Sequence, residues 1–278
     1  MTPLLFQGKR SPLKWLLVVL FAASSVIPIA WLIVTSLKTR LDIFAFPPKF
    51  LFSPNLDSYR KFLSFGSESI LPFLMNSIVI AVFATLLTTV AGSLAAYAFS
   101  RMTFAGRLPL LMGVLATRLL PPITAVIPLF LLMRDLNLLD THLGLVIIYG
   151  AINVPFAIWI LKSFFDTIPR ELEESALVDG CTMINALRHI TLPLALPGVA
   201  ATATFIFILA WNEFTFAFLF TSVDAKTMPV IIAETLGEME IYWQDMSAMA
   251  TLIALPGLLF AFFMQRYLVS GLTAGAIK

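Results

Sequence analysis

Arg118 and Glu213 are ionisable side chains set inside long apolar stretches of the chain. A central arginine in such a stretch costs about 2.5–3.5 kcal/mol on insertion scales, so each of the two needs a partner or a wet cavity and not lipid. Together with Asn153, Trp211 and Asn212 they form a set that can hydrogen-bond hydroxyl groups and stack the apolar face of a ring on an indole. That is the chemistry of a hydrated path for a polar solute, and these five are the candidate translocation-pathway residues. The competing reading is an Arg118–Glu213 ion pair, or pairs with another chain, that only fixes helix packing.

A second concentration of polar residues is the passage DTIPRELEESALVDGCTMINALRHITLPLALPGVA at 166–200, flanked on both sides by apolar runs. Thr167 or Asp166 can cap a helix whose first turn holds Pro169, with Glu171, Glu173 and Glu174 near its positive end. Ile168, Leu172, Ala176 and then Val178 or Asp179 follow helical steps, which puts one apolar side away from the glutamates. Gly180 is placed to end that helix through a positive φ, after which Met183, Ile184, Leu187 and Ile190 begin a second amphipathic segment. A rigid elbow between two membrane crossings can transmit a push from a soluble protein. The other reading is an interfacial helix resting on lipid headgroups.

Other chemistries find no residues. A phosphate loop needs glycine-framed donors followed by Gly-Lys and a hydroxyl residue, and the only Gly-Lys pair, Gly8–Lys9, is followed by Arg10. His142 and His189 fall on opposite sides of the membrane in the topology below, which argues against a shared metal. The single cysteine, Cys181, excludes an internal disulfide and is expected as a packing thiol. A net charge of +2 with scattered Lys and Arg does not suit nucleic acid. Neither a metal-binding His pair nor a Ser-His dyad at membrane depth supports an intramembrane enzyme.

The elements that must position these residues are helices in a bilayer. Hydrophobic residues make up 59% of the chain, charged residues 12%, and mean hydropathy is +0.94, far from the balance of a soluble domain. At about 20 apolar residues per crossing, spans are predicted near 15–37, 70–99, 108–133, 142–165, 193–221 and 248–269. The first reads as a retained span, since it is longer than a secretion-signal core. The expected fold is therefore all-α: a polytopic membrane protein with six transmembrane helices and a cytoplasmic helix between the fourth and fifth. Pro28, Pro121, Pro122, Pro128, Pro155 and Pro256 fall inside spans and predict kinks. Six crossings put both termini on one side, and ten Lys and Arg in the segments on that side against seven on the other, with the turn at 100–107 carrying Arg101 and Arg107 and no acid, predict that side to be cytoplasmic. The expected divisions are a cytoplasmic segment 1–14, a transmembrane domain 15–270 containing the loop 166–192, and a cytoplasmic tail 271–278. Outside lie 38–69, with Phe44, Phe46, Phe50 and Phe52, and 222–247, with Glu234, Glu238, Glu240 and Asp245. Each is either a docking surface or a solvated connector.

Glu174, Ala176, Asp179, Gly180, Ile190, Leu192, Pro193 and Pro197 stand at the spacing of an E-A-A, D-G, I-x-L-P pattern, and in this the chain resembles permeases of carbohydrate-importing ATP-binding-cassette transporters. Ser175 departs from the usual alanine, small for small. SRMTFAGR at 100–107, the pair Asn76–Ser77 and the patch Trp211–Phe214 match further family marks, and GLTAGAIK at 271–278 is similar to the tail of maltose-type members. The resemblance implies that Glu174, Ser175, Ala176, Asp179 and Gly180 couple to an ATPase, and that Gly271, Thr273 and Gly275 reach the ATPase interface. It also implies a second homologous permease, an ATPase dimer that supplies ATP and Mg chemistry, an extracytoplasmic solute-binding protein, and a sugar or sugar derivative carried across a bacterial inner membrane by alternating access. No cofactor is expected in this chain. An ion-coupled secondary carrier, with Glu213 or Arg118 as the coupling group, is the alternative.

Overall fold

The computed structural model describes residues 12–66, 68–235 and 242–274, and every regular element among them is a helix. Contacts divide the chain into two compact units, Met1–Ser69 with Thr235–Ala254 and Ile70–Glu234 with Leu255–Lys278.

In the first unit, α1 (Pro12–Ser36) is a span of mean hydropathy 2.5 whose side chains are largely uncovered by the chain. A helix that is apolar all round needs lipid or another protein about it. Two short helices follow, α2 (Arg40–Ile43) and α3 (Asp57–Leu63). Polar contacts hold α3: Ser36 and Tyr59 share a hydrogen bond of 2.6 Å, and Ser58 donates to Asp245 at 2.5 Å. Buried Lys38 lies over the rings of Trp31 and Phe52, so Phe52 turns inward while Phe44, Phe46 and Phe50 project outward.

The second unit is built on α4 (Leu71–Arg101) and holds α5 (Arg107–Ala116), α6 (Val126–Asp135), α7 (His142–Asp166), α8 (Arg170–Val178), α9 (Met183–Ala186), α10 (Leu192–Trp211), α11 (Thr215–Phe220) and α12 (Met228–Thr235). The last helix, α13 (Trp243–Ala274), belongs to it from Leu255 onward. Its core is α4 against α7, with α10 packed on both. Small residues permit that approach, as is usual where lipid offers no hydrophobic drive: a Cβ on Gly92 would meet the Ala157 Cβ at 2.5 Å, and one on Gly150 would meet Leu87 Cδ2 at 2.7 Å. Thr85, Thr88 and Thr202 return their hydroxyls to carbonyls one turn back, which satisfies them without water.

Five helices are long and apolar enough to cross a bilayer, and the third expected stretch is a broken pair, Arg107–Leu119 and Pro122–Asp135, bent by 102°. Pro121 and Pro122 explain the bend: neither can donate to the preceding turn, and each pushes the residue before it toward extended geometry, as Leu120 shows at ψ 130°. The fifth stretch also differs from expectation. Helix runs from Met183 through a π turn at Leu187–Thr191 to Trp211 and stops there instead of at 221. The stop has a local cause, since Glu213 accepts the amides of Phe216 and Ala217 at 3.0 and 3.2 Å and thereby starts α11. At the other end, α13 continues unbroken past 271 to Ala274, and Gly275 lies outside the described residues.

Candidate functional site

The loop between α7 and α10 is clamped at its base. Asp166 accepts from Ser100 at 2.6 Å and Lys162 at 2.5 Å, and Thr167 turns its hydroxyl back to the Phe164 carbonyl at 2.7 Å. Both candidate caps are thus spent on finishing α7, and Pro169 takes the N-cap position of α8 with no side-chain cap bond. Of the three glutamates expected off the apolar side of the helix, Glu173 turns inward. It is 6% exposed and receives the Arg101 Nε at 2.8 Å, the Tyr97 hydroxyl at 2.9 Å and the Thr191 hydroxyl at 2.7 Å. Arg101 also donates to the Ile168 carbonyl at 3.0 Å, and Arg170 donates to the Ser100 carbonyl at 2.9 Å. The pair is dry, with Arg101 and Glu173 side chains 6% and 7% exposed. It survives burial because further donors satisfy the carboxylate oxygens. Reading the sequence missed Arg101, Tyr97, Glu173 and Thr191 as one group. The one hint is an arginine ending an apolar span with no acid beside it, and nothing local says which glutamate it takes.

The far side of α8 is presented outward. Glu171, Glu174, Ser175, Asp179 and Gly180 are exposed and Ala176 is half-buried, while Leu172 and Val178 project as apolar side chains. Gly180 ends the helix at φ +89°, with its own amide on the Leu177 carbonyl at 3.1 Å and the Cys181 amide on the Ala176 carbonyl at 2.9 Å. This paired closure requires a left-handed residue, which glycine adopts without cost. Cys181 follows the turn and is exposed and unpaired, so it is not the packing thiol expected: the reversal at Gly180 aims it outward.

The five pathway candidates lie in the second unit, and Arg118 and Glu213 have different partners. Arg118 donates to the Ile152 carbonyl at 3.1 Å and stands 5.5 Å from the centre of the Phe156 ring, beside a cavity of about 270 Å³ lined by Leu115, Pro155, Phe156 and Trp159. Glu213 is engaged with α11, as described, so the two charges do not pair. Asn153 is buried and donates to the Tyr149 carbonyl at 2.9 Å. Trp211 is buried in a near-parallel stack with Phe207, and exposed Asn212 donates to the Ile208 carbonyl.

A separate latch ties the 222–228 segment to α4 and α7. Asn76 donates to the carbonyls of Asp224 and Lys226 at 2.8 and 2.9 Å and shares a 2.7 Å hydrogen bond with His142, while Ser77 accepts the Met228 amide at 2.8 Å. Asp140, at φ +52°, gathers the Ser222 hydroxyl and the amides of Val223, Asp224 and Ala225 at 2.7–3.1 Å. Burial by itself would raise the Asp140 pKa, but the Ala225 amide, the Ser222 hydroxyl and the neighbouring amides outweigh it and hold the carboxyl well below the usual range. A depressed folded pKa means that the stabilisation is fully present above the unfolded value of about 3.9 and is lost as pH falls through the lower folded value. Asp140→Ala is expected to loosen the segment by about 1.5–3 kcal/mol, the scale for hydrogen bonds to a charged group, read as faster hydrogen exchange at 223–225 at neutral pH. Unchanged exchange in the variant would refute the clamp. Among the described residues no three His, Cys, Asp or Glu side chains group as metal ligands.

Residues 88–274 match the family described as binding-protein-dependent transport system inner membrane component. The chain is 40% identical over 268 residues to the trehalose/maltose transport system permease protein MalG of Thermococcus litoralis, covering 94% of each. It is 36% identical to the sulfoquinovosyl glycerol transport system permease protein SmoH of Agrobacterium fabrum, covering 98% of this chain and 95% of the relative. In fold it is similar to a chain of a bacterial ABC transporter involved in the import of the acidic polysaccharide alginate, with a TM-score of 0.76 at 23% identity over 96% of this chain and 99% of that one. A family match over most of the chain, joined to relatives that span nearly all of it, makes this protein a member of the binding-protein-dependent transport system inner membrane components.

Proposed function

We propose that this chain is the membrane-spanning permease subunit of an ATP-driven importer of a sugar or sugar derivative, paired with a second permease, driven by two copies of an ATPase and fed by an extracytoplasmic solute-binding protein. ATP and Mg act in the ATPase, and α8 is the element that the ATPase moves, on the cytoplasmic side of the inner membrane with both chain termini. The observation that carries this reading is α8 itself: a short helix with Glu174, Ser175, Asp179 and Gly180 facing outward and its base fastened to the bundle. The sugar-permease relatives support the substrate class. Arg118, Asn212 and Glu213 then belong to the solute path, with Trp211 and Asn153 supporting its walls, and the division into 1–14, 15–270 and 271–278 is kept as the working assignment. The family match displaces the ion-coupled reading.

The test is co-purification of the cognate ATPase with the chain. A Cβ at Gly180 meets nothing within 4 Å in this chain, so within the permease a substitution there acts through the backbone. Gly180→Val is expected to cost about 1–2 kcal/mol in the left-handed conformation and to release the ATPase, while Gly180→Asn, which tolerates that geometry, retains it. Glu174→Arg should leave folding intact and lower ATPase retention. Full ATPase binding by both Gly180→Val and Glu174→Arg would overturn the proposal.

A further inference from the structure

We infer that Glu173 is a positioning residue that locks α8 to the end of α4 and the start of α10, so that the loop helix and the bundle move as one body when the ATPase pushes. This inference rests on the coupling role proposed above for α8.

The carboxylate of Glu173 joins three places far apart in sequence. Tyr97 and Arg101 come from the last turns of α4, and Thr191 from the π turn that leads into α10. Arg101 fastens the Ile168 carbonyl ahead of α8, and Arg170, the first residue of α8, fastens the Ser100 carbonyl. Asp166 at the end of α7 accepts from Ser100. Every contact lies at the base of α8, and its outward residues make none of them. A force applied at Glu174 or Asp179 reaches the bundle through these bonds and through the packing of α8 on α9 and the π turn. The Glu173 carboxylate is the group that joins α8 to both α4 and the π turn; it is buried, so its partners are not readily exchanged for solvent. The π turn matters for the same reason. A π turn is a place where a helix can kink and is frequent at functional sites, and a hydrogen bond from Thr191 to Glu173 ties this one to α8. Without the carboxylate, α8 keeps its own helix and its Gly180 closure but can rock against α4, and ATP hydrolysis no longer drives the spans.

Cys181 makes the idea measurable, because it is exposed, is the sole cysteine of the chain, and has its amide bonded to the Ala176 carbonyl of α8. Met102 is exposed at the end of α4. In the full complex in nanodiscs, with partner chains free of cysteine, spin labels at Cys181 and at Met102→Cys give the distance between the two elements by electron paramagnetic resonance. With Glu173 present, one narrow distance is expected, unchanged between the nucleotide-free state and the state trapped with ATP, Mg and vanadate. Glu173→Gln should broaden it and make it follow the nucleotide, and solute uptake should fall far more than ATP hydrolysis. Tyr97→Phe, which removes one bond and spares the ion pair, should broaden it less and covers the case in which Glu173→Gln does not fold. A distance that shifts with nucleotide while Glu173 is intact, or that stays narrow in both variants, overturns the lock; a Glu173 that is merely structural lowers yield and leaves the distance narrow. Should the ATPase fail to bind at all, the coupling role of α8 fails, yet the labelled permease alone still reports the lock through the broadening in Glu173→Gln.

Discussion

Arg101→Ala is expected to remove most of the folded protein from the membrane. The substitution leaves the Glu173 carboxylate buried with two hydroxyl donors and no cation, and breaking a buried pair in this one-sided way costs about 3–5 kcal/mol. That is a large part of the roughly 5–15 kcal/mol that holds a typical domain together. Thermal unfolding of the purified permease, followed by size-exclusion recovery, measures the loss. Replacing the whole group tells a different story: Arg101→Met with Glu173→Leu, combined with Tyr97→Phe and Thr191→Val so that no buried hydroxyl loses its acceptor, removes the charge and is expected to recover most of the stability, because apolar residues of similar volume often match a buried salt bridge. Stability and coupling should then separate, with a sound fold and poor transport per ATP. A single Arg101→Ala variant as stable as the parent would show that the pair contributes nothing.

The second large effect lies where α4 meets α7. A Cβ on Gly92 falls 2.5 Å from the Ala157 Cβ and 3.6 Å from Ala157 backbone atoms, and no side-chain rotation on either helix relieves that contact. Gly92→Leu is expected to force the helices apart at a cost of about 1–3 kcal/mol or more, which is the scale of core overpacking. Gly113→Leu, in α5 with nothing within 4 Å of its Cβ, should express normally and serves as the matched control. The clash is specific enough to invert: Gly92→Ala combined with Ala157→Gly moves one methyl from one helix to the other and should restore recovery relative to Gly92→Ala alone. Additive losses in that double variant would show that the close approach is not at this pair.

Much of the architecture was legible from hydropathy and punctuation. The membrane class, the apolar helices and the all-α fold follow from runs of apolar residues about as long as a bilayer is thick, a signal each segment carries by itself. Gly180 was legible for a similar reason, since a helix followed by glycine closes through local backbone geometry. Where expectation and structure part, a competing local interaction won. Thr167 and Asp166 finish α7 instead of starting α8, and the carboxylate of Glu213 restarts a helix where composition alone suggested an unbroken span. The bend between Arg107–Leu119 and Pro122–Asp135 was visible as two prolines, but its angle of 102° was not.

The sequence by itself determined a helical membrane protein with one polar elbow, and carried a resemblance to permeases in its motifs, because composition, periodicity and motif spacing are properties of neighbouring residues. Only the tertiary structure decided which glutamate of that elbow turns inward, that Asp140 collects the 222–225 amides, and that Arg118 and Glu213 go to different partners. Arg101 and Glu173 are separated by 72 positions, and residues that far apart acquire a common environment only once α4, α7 and α10 have packed and driven out the water that would otherwise have satisfied each of them alone.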